Sequence, residues 1–265
     1  MMRIAVCLKQ VPNPDLQFQV DASGKDIRRD GMNYVLSSAD PYALEEGVRL
    51  KEKHQGRLTA YSLGPKRCEE ILKEAVAKGA DEAVRIEAEE SLAYDGTRTA
   101  RILAKVLKEG DYDVILTAIQ SDDFAHGLTG SMIAGLLDRP HAAVVTRLSV
   151  EGGVAHVQRE LEGGVLENIT VPLPAVFAVQ FGINQPRYAP VAAILKAARQ
   201  SIKVVTPKDV GLGSWEELTN DYSLEIQSLA PPPARGKAQM FTGSSEELGR
   251  KLAGLLREKG FVRRG

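Results

Sequence analysis

The sequence predicts an α/β fold with a mostly parallel sheet flanked by helices, a Rossmann-like architecture, plus an antiparallel hairpin addition and a C-terminal arm. Three observations lead to this prediction. In the first half of the 265-residue chain, short apolar runs alternate with segments whose apolar residues recur at helical spacing. After about residue 140, strand-like runs are separated by Gly-Gly pairs. From about residue 206 the periodicity is lost until a final amphipathic segment.

Four short runs in the first half are typical of buried strands because both of their faces are apolar. These strands are predicted at residues 4–8, 58–63, 83–86 and 114–118. The segments that alternate with them place apolar residues three and four positions apart, with charges on the opposite face, as surface helices do. These helices are predicted at residues 42–52, 68–78, 96–108 and 128–137. Such alternation favours a parallel sheet with crossover connections.

The following segment changes to antiparallel pairing. Strands are predicted at residues 142–150, 154–161 and 165–171. The pairs Gly152-Gly153 and Gly163-Gly164 separate them, and glycine pairs favour hairpin turns. A further apolar strand at residues 175–181 is able to return to the main sheet.

We expect two regions along the chain. Residues 1–205 are predicted to form a nucleotide-binding α/β domain, and residues 206–265 an extended arm with a terminal helix. Three consecutive prolines at 231–233 form a connector incompatible with a helix. The terminal helix is predicted at residues 244–259, where Ser244 or Ser245 and Glu247 form a capping box. Because an arm and one helix bury little apolar surface alone, we expect them to pack on a partner subunit.

The composition excludes several functional classes. With 34 Lys and Arg against 35 Asp and Glu, the chain has no cationic excess for nucleic acid, so we predict no nucleic-acid binding. Only two cysteines occur, without metal-ligand spacing, which fits a reducing compartment. No run approaches the ~18 apolar residues that a membrane span needs, so we predict no membrane insertion. We therefore expect a cytoplasmic protein, or one in an organelle matrix after processing.

The candidate site lies at the carboxyl ends of the predicted strands, where ligands bind in open parallel sheets. Residues 119–129 run from a strand end into a helix start. There Gly127 and Gly130 permit close backbone approach, and Thr129 is expected to cap the helix. The free N–H groups of the first helical turn form an anion site, which suits a phosphate. An ordinary capped helix preceded by a polar loop is the alternative.

Standard nucleotide motifs and catalytic groups are absent from the sequence. There is no GxxxxGK[ST] motif and no GxGxxG after the first strand. The candidate loop has no Lys or Arg and holds Asp122 and Asp123, so a monophosphate bound by backbone amides is favoured over a triphosphate. One of these carboxylates is expected to order the loop through backbone N–H groups. Cys7 is expected to be packed, and His126 is either a ligand contact or an exposed loop residue.

Several segments, taken in order, resemble the β (small) subunit of electron-transfer flavoproteins. The likeness runs from residue 3 to about residue 212. It is strongest in the segment Asn184-Gln185-Pro186-Arg187-Tyr188, and is supported by the 6–12, 43–52, 62–65, 78–81, 120–130, 159–164 and 173–176 segments. The Ala-His-Gly-Leu-Thr-Gly form of the loop and the run at 141–145 are most similar to the branch serving bacterial dehydrogenases such as trimethylamine dehydrogenase.

The resemblance implies a heterodimer in which the large (α) subunit carries the redox FAD and the small subunit binds AMP without redox change. It places the AMP phosphate on Gly127, Leu128 and Thr129. The full set of AMP-binding positions carried over by the resemblance is Cys7, Ser37, Ser38, Ala39, Asp40, Leu63, Ala118, Ile119, Gln120, Ser121, Asp122, Asp123, Phe124, Ala125, His126, Gly127, Leu128 and Thr129. Ser37 stands where the family usually has Asn.

The resemblance also implies two contact regions and no catalytic site of the chain's own. Residues 188–198 correspond to a segment that docks transiently to a dehydrogenase, with Val191 as the apolar anchor. The docking positions are Tyr188, Val191, Ile194, Leu195 and Lys196. A plain helix packed on its own domain is the alternative. Glu160 corresponds to an acidic residue that pairs with the large subunit, or else is a solvated strand charge.

Two other functions stay open at this point. Some relatives hold a second FAD in the nucleotide site and bifurcate electrons, although their loop typically reads Asp-Gly-Asp-Thr-Ala-Gln, which this chain lacks. A stand-alone ATP-binding regulator or enzyme would need a basic or glycine-dense triphosphate loop, and it would not need a C-terminal arm.

Overall fold

The computed structural model describes residues 1–219, 224–233, 236 and 238–262. The chain divides into two compact units, Met1–Ser228 and Leu229–Gly265. The strands of the first unit are β1 (Arg3–Cys7), β2 (Gln10–Pro12), β3 (Tyr34–Leu36), β4 (Arg57–Gly64), β5 (Glu82–Glu87), β6 (Val114–Ala118), β7 (His141–Glu151), β8 (Val154–Glu160), β9 (Leu166–Pro172), β10 (Ala175–Val179) and β11 (Lys203–Val205).

Nine strands form one sheet in the order β11-β5-β4-β1-β6-β10-β7-β8-β9. Neighbours are parallel from β11 to β7 and antiparallel from β7 to β9. The strands β2 and β3 pair separately as an antiparallel ribbon. The predicted fold class is confirmed. The β2–β3 ribbon and β11 were not predicted, because three-residue strands are too short to show a periodic pattern.

The predicted return of the last apolar strand to the main sheet is confirmed. Strand β10 lies between β6 and β7 and is parallel to both, with Phe177 opposite Leu116 on one side and Ala142 on the other. The first strand of the antiparallel addition, β7, is therefore itself part of the main sheet. As a result, the hairpins extend that sheet instead of forming a separate lobe.

The four helices predicted in the first half and the terminal helix are confirmed, with boundaries shifted by a few residues, whereas the short helix at residues 216–219 was not predicted. The helices are α1 (Asp40–His54), α2 (Glu69–Lys78), α3 (Gly96–Lys108), α4 (Thr129–Leu136), α5 (Val191–Ala198), α6 (Glu216–Thr219) and α7 (Ser245–Glu258). Successive side chains of a strand point to opposite faces of the sheet. Val6 and Leu116 accordingly join a cluster with residues of α1 and α2, whereas Cys7 and Ile115 join a cluster with residues of α3 and α4.

The first unit extends past the expected boundary at residue 205. Strand β11 pairs with β5, and the chain continues along the sheet to Trp215, which is buried in the cluster that contains α3. The Trp215 indole donates a hydrogen bond to the carbonyl of Glu87, 2.7 Å away. Residues 206–219 thus belong to the α/β domain, because the buried indole fixes them there. That the remaining arm packs on a partner subunit stays a prediction.

The second unit contains α7, which begins where the capping box predicted. Ser244 Oγ accepts a hydrogen bond from the Glu247 N–H, and Glu247 Oε2 accepts one from the Ser244 N–H. Among the described residues, none of the helices combines the length and the apolar character required to cross a membrane.

Candidate functional site

A cavity opens at the carboxyl ends of β1, β4 and β6, on the face covered by α3. Cys7, Leu63 and Thr117, each near the end of one of these strands, line it on the sheet side. Thr99 and Leu103 of α3 line the opposite side. The empty volume is about 760 Å³, part of it open to solvent. This position is typical of a small-molecule site in a parallel α/β sheet.

Twelve of the eighteen predicted nucleotide contacts line this cavity. They are Cys7, Asp40, Leu63, Ala118, Ile119, Gln120, Ser121, Phe124, His126, Gly127, Leu128 and Thr129. Most of them belong to the loop between β6 and α4. The structure therefore brings the end of β1, the end of β4, the start of α1 and this loop to one place, as the sequence predicted.

Six predicted contacts do not line the cavity, namely Ser37, Ser38, Ala39, Asp122, Asp123 and Ala125. Ser37 and Ala39 are almost completely covered, with exposed fractions of 0% and 1%. Ala125 instead adopts a left-handed backbone conformation, with φ of 49°, where the loop turns. Ser38, Asp122, Asp123 and Ala125 are exposed outside the cavity lining, so these six positions stay predicted contacts.

Asp122 ties the candidate loop to the residues before α1. Its carboxylate accepts hydrogen bonds from the Ser38 N–H at 2.7 Å and the Ser38 hydroxyl at 2.5 Å. The Asp122 N–H in turn donates to Ser37 Oγ at 3.2 Å. Asp123 accepts from the Phe124 N–H at 2.9 Å. The expectation that a carboxylate orders this loop through backbone N–H groups is thus confirmed, and both carboxylates do so.

The structure adds to the candidate site a positive charge that its loop lacks. Lys9, just beyond β1, lines the cavity, and its ammonium group lies 2.6 Å from an Asp123 carboxylate oxygen. The same ammonium donates to Ser121 Oγ at 3.4 Å and lies 5.1 Å from the centre of the Phe124 ring. The loop itself has no cation, but an earlier segment supplies one, which reasoning from the loop alone could not reveal.

The start of α4 also differs from the prediction. Thr129 is the first helical residue, and its side chain is not a cap, because the helix begins after Leu128 without a side-chain capping bond. The N–H groups of the first turn are left for another acceptor. Thr117 Oγ1, buried beneath this turn, has no hydrogen-bond partner within the described part of the chain. An unpaired buried hydroxyl is unusual and marks a place where a ligand or water is expected.

Three rings stand in a row along the cavity wall. Tyr94 and Phe124 have ring centres 5.6 Å apart, and Phe124 and His126 lie 5.5 Å apart. All three line the cavity, and the Tyr94 hydroxyl is hydrogen-bonded to the Arg29 guanidinium. This wall offers apolar, polarisable surface suited to a planar base. His126 is exposed, as one of the two readings of the sequence expected.

The pKa values of two cavity residues are strongly raised by burial. Burial raises the pKa of the Cys7 thiol to about 12, so the thiol stays neutral and unreactive, as expected for a packed cysteine. Burial also raises the pKa of Asp40 to about 8, although a hydrogen bond from the Lys9 N–H at 2.6 Å opposes the shift. Within the described residues, no group of three or more His, Cys, Asp or Glu could hold a metal ion.

Sequence reasoning missed seven cavity residues: Leu8, Lys9, Tyr94, Gly96, Thr99, Leu103 and Thr117. Thr117 had a detectable signal, since it is polar within an otherwise apolar strand. Tyr94, Gly96 and Thr99 lie in and beside the start of α3, which follows β5. That connection also reaches the carboxyl edge of the sheet, so its helix start could have been included in the predicted site together with residues 119–129.

The predicted docking segment presents an apolar surface. Tyr188 is 96% exposed and Val191 73% exposed, and Ile194, Leu195 and Lys196 of α5 are also exposed. An exposed cluster of this kind is typical of an interaction site. Glu160 is exposed at the end of β8, opposite Leu166 of β9.

A family model for the electron transfer flavoprotein domain matches residues 26–210. The electron transfer flavoprotein β subunit of Methylophilus methylotrophus is 35% identical to this chain, and the alignment covers 97% of the chain and 98% of the relative. The chain belongs to the electron transfer flavoprotein β-subunit family. The human β subunit is 33% identical, with 95% of the chain and 96% of the relative covered. The Bacillus subtilis β subunit is 30% identical, with 98% and 100% covered.

Membership in the electron transfer flavoprotein family accounts for the whole chain and not only for the cavity. The family model contains the loop between β6 and α4 and also α5. The relatives align over nearly their full lengths and over at least 95% of this chain. The resemblance stated from ordered sequence segments is confirmed.

Proposed function

We propose that this chain is the small subunit of a heterodimeric electron-transfer flavoprotein and binds AMP as a structural group in the cavity. The observation that supports AMP best is the start of α4, where no side chain caps the first turn and where the Thr117 hydroxyl, unpaired among the described residues, lies beside the cavity. Gly127, Leu128 and Thr129 would hold the phosphate through their backbone, because a helix start stabilises a bound anion. Lys9 adds one positive charge nearby.

The remaining walls suit a nucleoside. Cys7 and Leu63 provide an apolar floor, and Tyr94 and Phe124 provide aromatic surface for a purine. Asp122 and Asp123 are exposed in the loop beside the cavity, and their negative charge opposes additional phosphate groups, which favours a monophosphate over a triphosphate. These features support AMP over ATP as the occupant.

The proposed role of the chain is support and docking, without a catalytic site of its own. FAD, carried mainly by the large (α) subunit, would supply the redox chemistry. The exposed apolar surface of Tyr188, Val191, Ile194 and Leu195, with Lys196 beside it, would bind a dehydrogenase transiently. Glu160 and the C-terminal arm would contact the large subunit. A carrier must release its donor quickly, so we expect a small and weak docking interface. We propose a cytoplasmic location.

The nucleotide content of the purified heterodimer tests this proposal. The two subunits are separated under denaturing conditions, and the released nucleotides are identified by chromatography and mass spectrometry. We expect about one AMP and one FAD per heterodimer, with AMP retained by the isolated small subunit refolded in its presence. FAD bound by this chain would support a bifurcating subunit instead, and ATP hydrolysis by this chain would support an enzyme.

A further inference from the structure

We propose that Arg187 and Asn184 are positioning residues that fix the docking segment to helix α1, so that dehydrogenase docking depends on side chains that the dehydrogenase does not touch. This inference rests on the docking role proposed above. It concerns residues just before the exposed surface that begins at Tyr188.

Arg187 is held by two carboxylates of α1. Its Nε and Nη2 atoms donate to the two oxygens of Glu45 at 2.8 and 3.1 Å, and its backbone N–H donates to Glu45 at 3.2 Å. Its Nη1 and Nη2 atoms donate to the two oxygens of Glu52 at 2.6 and 3.1 Å. Two bidentate pairs fix the plane of the guanidinium, which a lysine could not reproduce.

The contact between Arg187 and Glu45 differs from a surface ion pair because the Glu45 side chain is only 5% exposed. Burial alone would raise the pKa of Glu45, but the hydrogen bonds from Arg187 outweigh burial and hold the pKa below its usual value. A buried carboxylate left without its partner is costly. The pairing of Arg187 with Glu45 therefore anchors the segment more strongly than an ordinary surface ion pair would.

Asn184 provides a second anchor on the same helix. Its side-chain amide donates to the carbonyl of Tyr42 at 2.9 Å and to Glu46 Oε2 at 3.0 Å. Glu46 is buried like Glu45. The two anchors lie three residues apart, on either side of Gln185-Pro186, so the chain that enters the docking surface is fixed at two points.

Helix α5 packs against α2, but its first two residues are exposed, so the segment that leads into it depends on anchors of its own. Ala197, near its C-terminal end, is buried, whereas Val191, Ile194 and Leu195 are exposed. The position of Tyr188 and Val191, where the exposed surface begins, therefore depends on the residues that precede α5 as well as on the packing of α5 against α2. Since the partners of these anchors on α1, Glu45 and Glu46, lie more than 130 residues before Asn184 and Arg187 in sequence, the start of the docking surface is fixed to the main domain.

The test is a double-mutant cycle in the full heterodimer, with trimethylamine dehydrogenase as the electron donor. Arg187→Gln and Val191→Ala are made singly and together, and steady-state rates are measured against heterodimer concentration. The matched control is Arg49→Gln, because Arg49 also contacts Glu45, at 3.1 Å, but does not contact the 184–188 segment. AMP and FAD contents and the melting temperature are measured for each variant.

We expect Arg187→Gln to raise KM for the heterodimer by about fivefold, with kcat nearly unchanged, and Arg49→Gln to have no effect. The Arg187→Gln and Val191→Ala effects should be less than multiplicative, because both act through the same surface. A KM for Arg187→Gln equal to that of the natural chain, or effects that multiply, would overturn the positioning role. If Val191→Ala itself leaves KM unchanged, the docking proposal fails, and this inference fails with it.

A second variant covers the case in which Arg187→Gln does not fold. Glu52→Gln removes the more exposed of the two ion pairs of Arg187 and leaves Arg187 paired with Glu45. We expect a smaller rise in KM that is again less than multiplicative with Val191→Ala. If KM is unchanged in Glu52→Gln although Val191→Ala raises it, the inference is overturned.

Discussion

A Cβ atom on Gly130 would lie 2.5 Å from Thr117 Oγ1 and 3.3 Å from Ala178 Cβ. The first turn of α4 is therefore packed directly against β6 and β10, and the absence of a side chain at Gly130 permits this approach. The close approach also places the uncapped start of α4 at the cavity. Gly130 thus links the packing of the fold to the geometry of the candidate anion site.

Gly130→Ala should destabilise the chain by about 1–3 kcal/mol, because the new methyl group overpacks a buried contact. It should also weaken AMP binding, since α4 must move away from β6. Gly135→Ala is the matched control on the same helix, where a Cβ meets nothing within 4 Å. That change should stabilise the helix by about 0.5–1 kcal/mol. Urea denaturation and AMP titration calorimetry measure both effects, and equal outcomes for the two variants would contradict the argument.

Lys9→Gln should lower both the affinity for AMP and the free energy of unfolding. The Lys9–Asp123 pair is partly buried, so removing the cation leaves Asp123 poorly compensated, at a cost of about 1 kcal/mol. Lys25→Gln is the control, because the Lys25–Glu225 pair is largely exposed and should contribute nothing measurable. Titration with AMP at low and high salt is the measurement. A loss of affinity in Lys25→Gln equal to that in Lys9→Gln would show that only general charge matters.

Much of the fold was predictable because the core strands and helices have clear periodicity. The apolar run predicted as a strand at residues 114–118 matches β6, and the helical pattern of residues 96–108 matches α3. What the sequence could not show was decided by contacts between distant segments. Strand β11 forms by pairing with the edge of β5. Residues 206–219 belong to the domain because the Trp215 side chain is buried against residues of α3.

The candidate site was predictable where its residues are consecutive and unpredictable where they come from separate segments. The loop from Ala118 to Thr129 connects a strand end to a helix start, so its location followed from the rule for parallel sheets. Lys9 lies more than 110 residues before Asp123, and their ion pair depends on the adjacency of β1 and β6. Thr129 was expected to cap α4 by residue type, but the helix begins one residue too early for that.

Trp215 offers a direct test of where the α/β domain ends. Trp215→Ala should destabilise the chain by about 3–5 kcal/mol, because a large buried side chain is lost. Trp215→Phe should cost less, since it keeps most of the packing and loses the hydrogen bond to the Glu87 carbonyl. Chemical denaturation followed by circular dichroism measures both. A negligible effect of Trp215→Ala would mean that residues 206–219 belong to a separate arm, as the sequence had suggested.

Asp40 should make the stability of the chain depend on pH in an unusual direction. Because burial raises its pKa to about 8, the folded state favours the neutral acid, whereas the unfolded chain ionises near its ordinary value of about 4. The stabilising contribution is therefore complete below about pH 4 and is lost as the pH rises towards about 8. The positive end of α1, where Asp40 is the first residue, offsets part of this shift, so we expect a loss of about 2–4 kcal/mol over that range.

Asp40→Asn should remove this dependence, because the amide oxygen still accepts the Lys9 N–H but cannot ionise. Between pH 5 and 8 the variant should become progressively more stable relative to the natural chain. Asp209→Asn is the control, since hydrogen bonds from Thr206 lower the pKa of Asp209, and its contribution to stability is lost only as the pH falls below the ordinary range. Denaturation curves at several pH values give the free energy of unfolding of each variant, which is compared with that of the natural chain. Parallel curves for the natural chain and Asp40→Asn would show that Asp40 is already ionised in the folded state, stabilised by the Lys9 N–H and the start of α1.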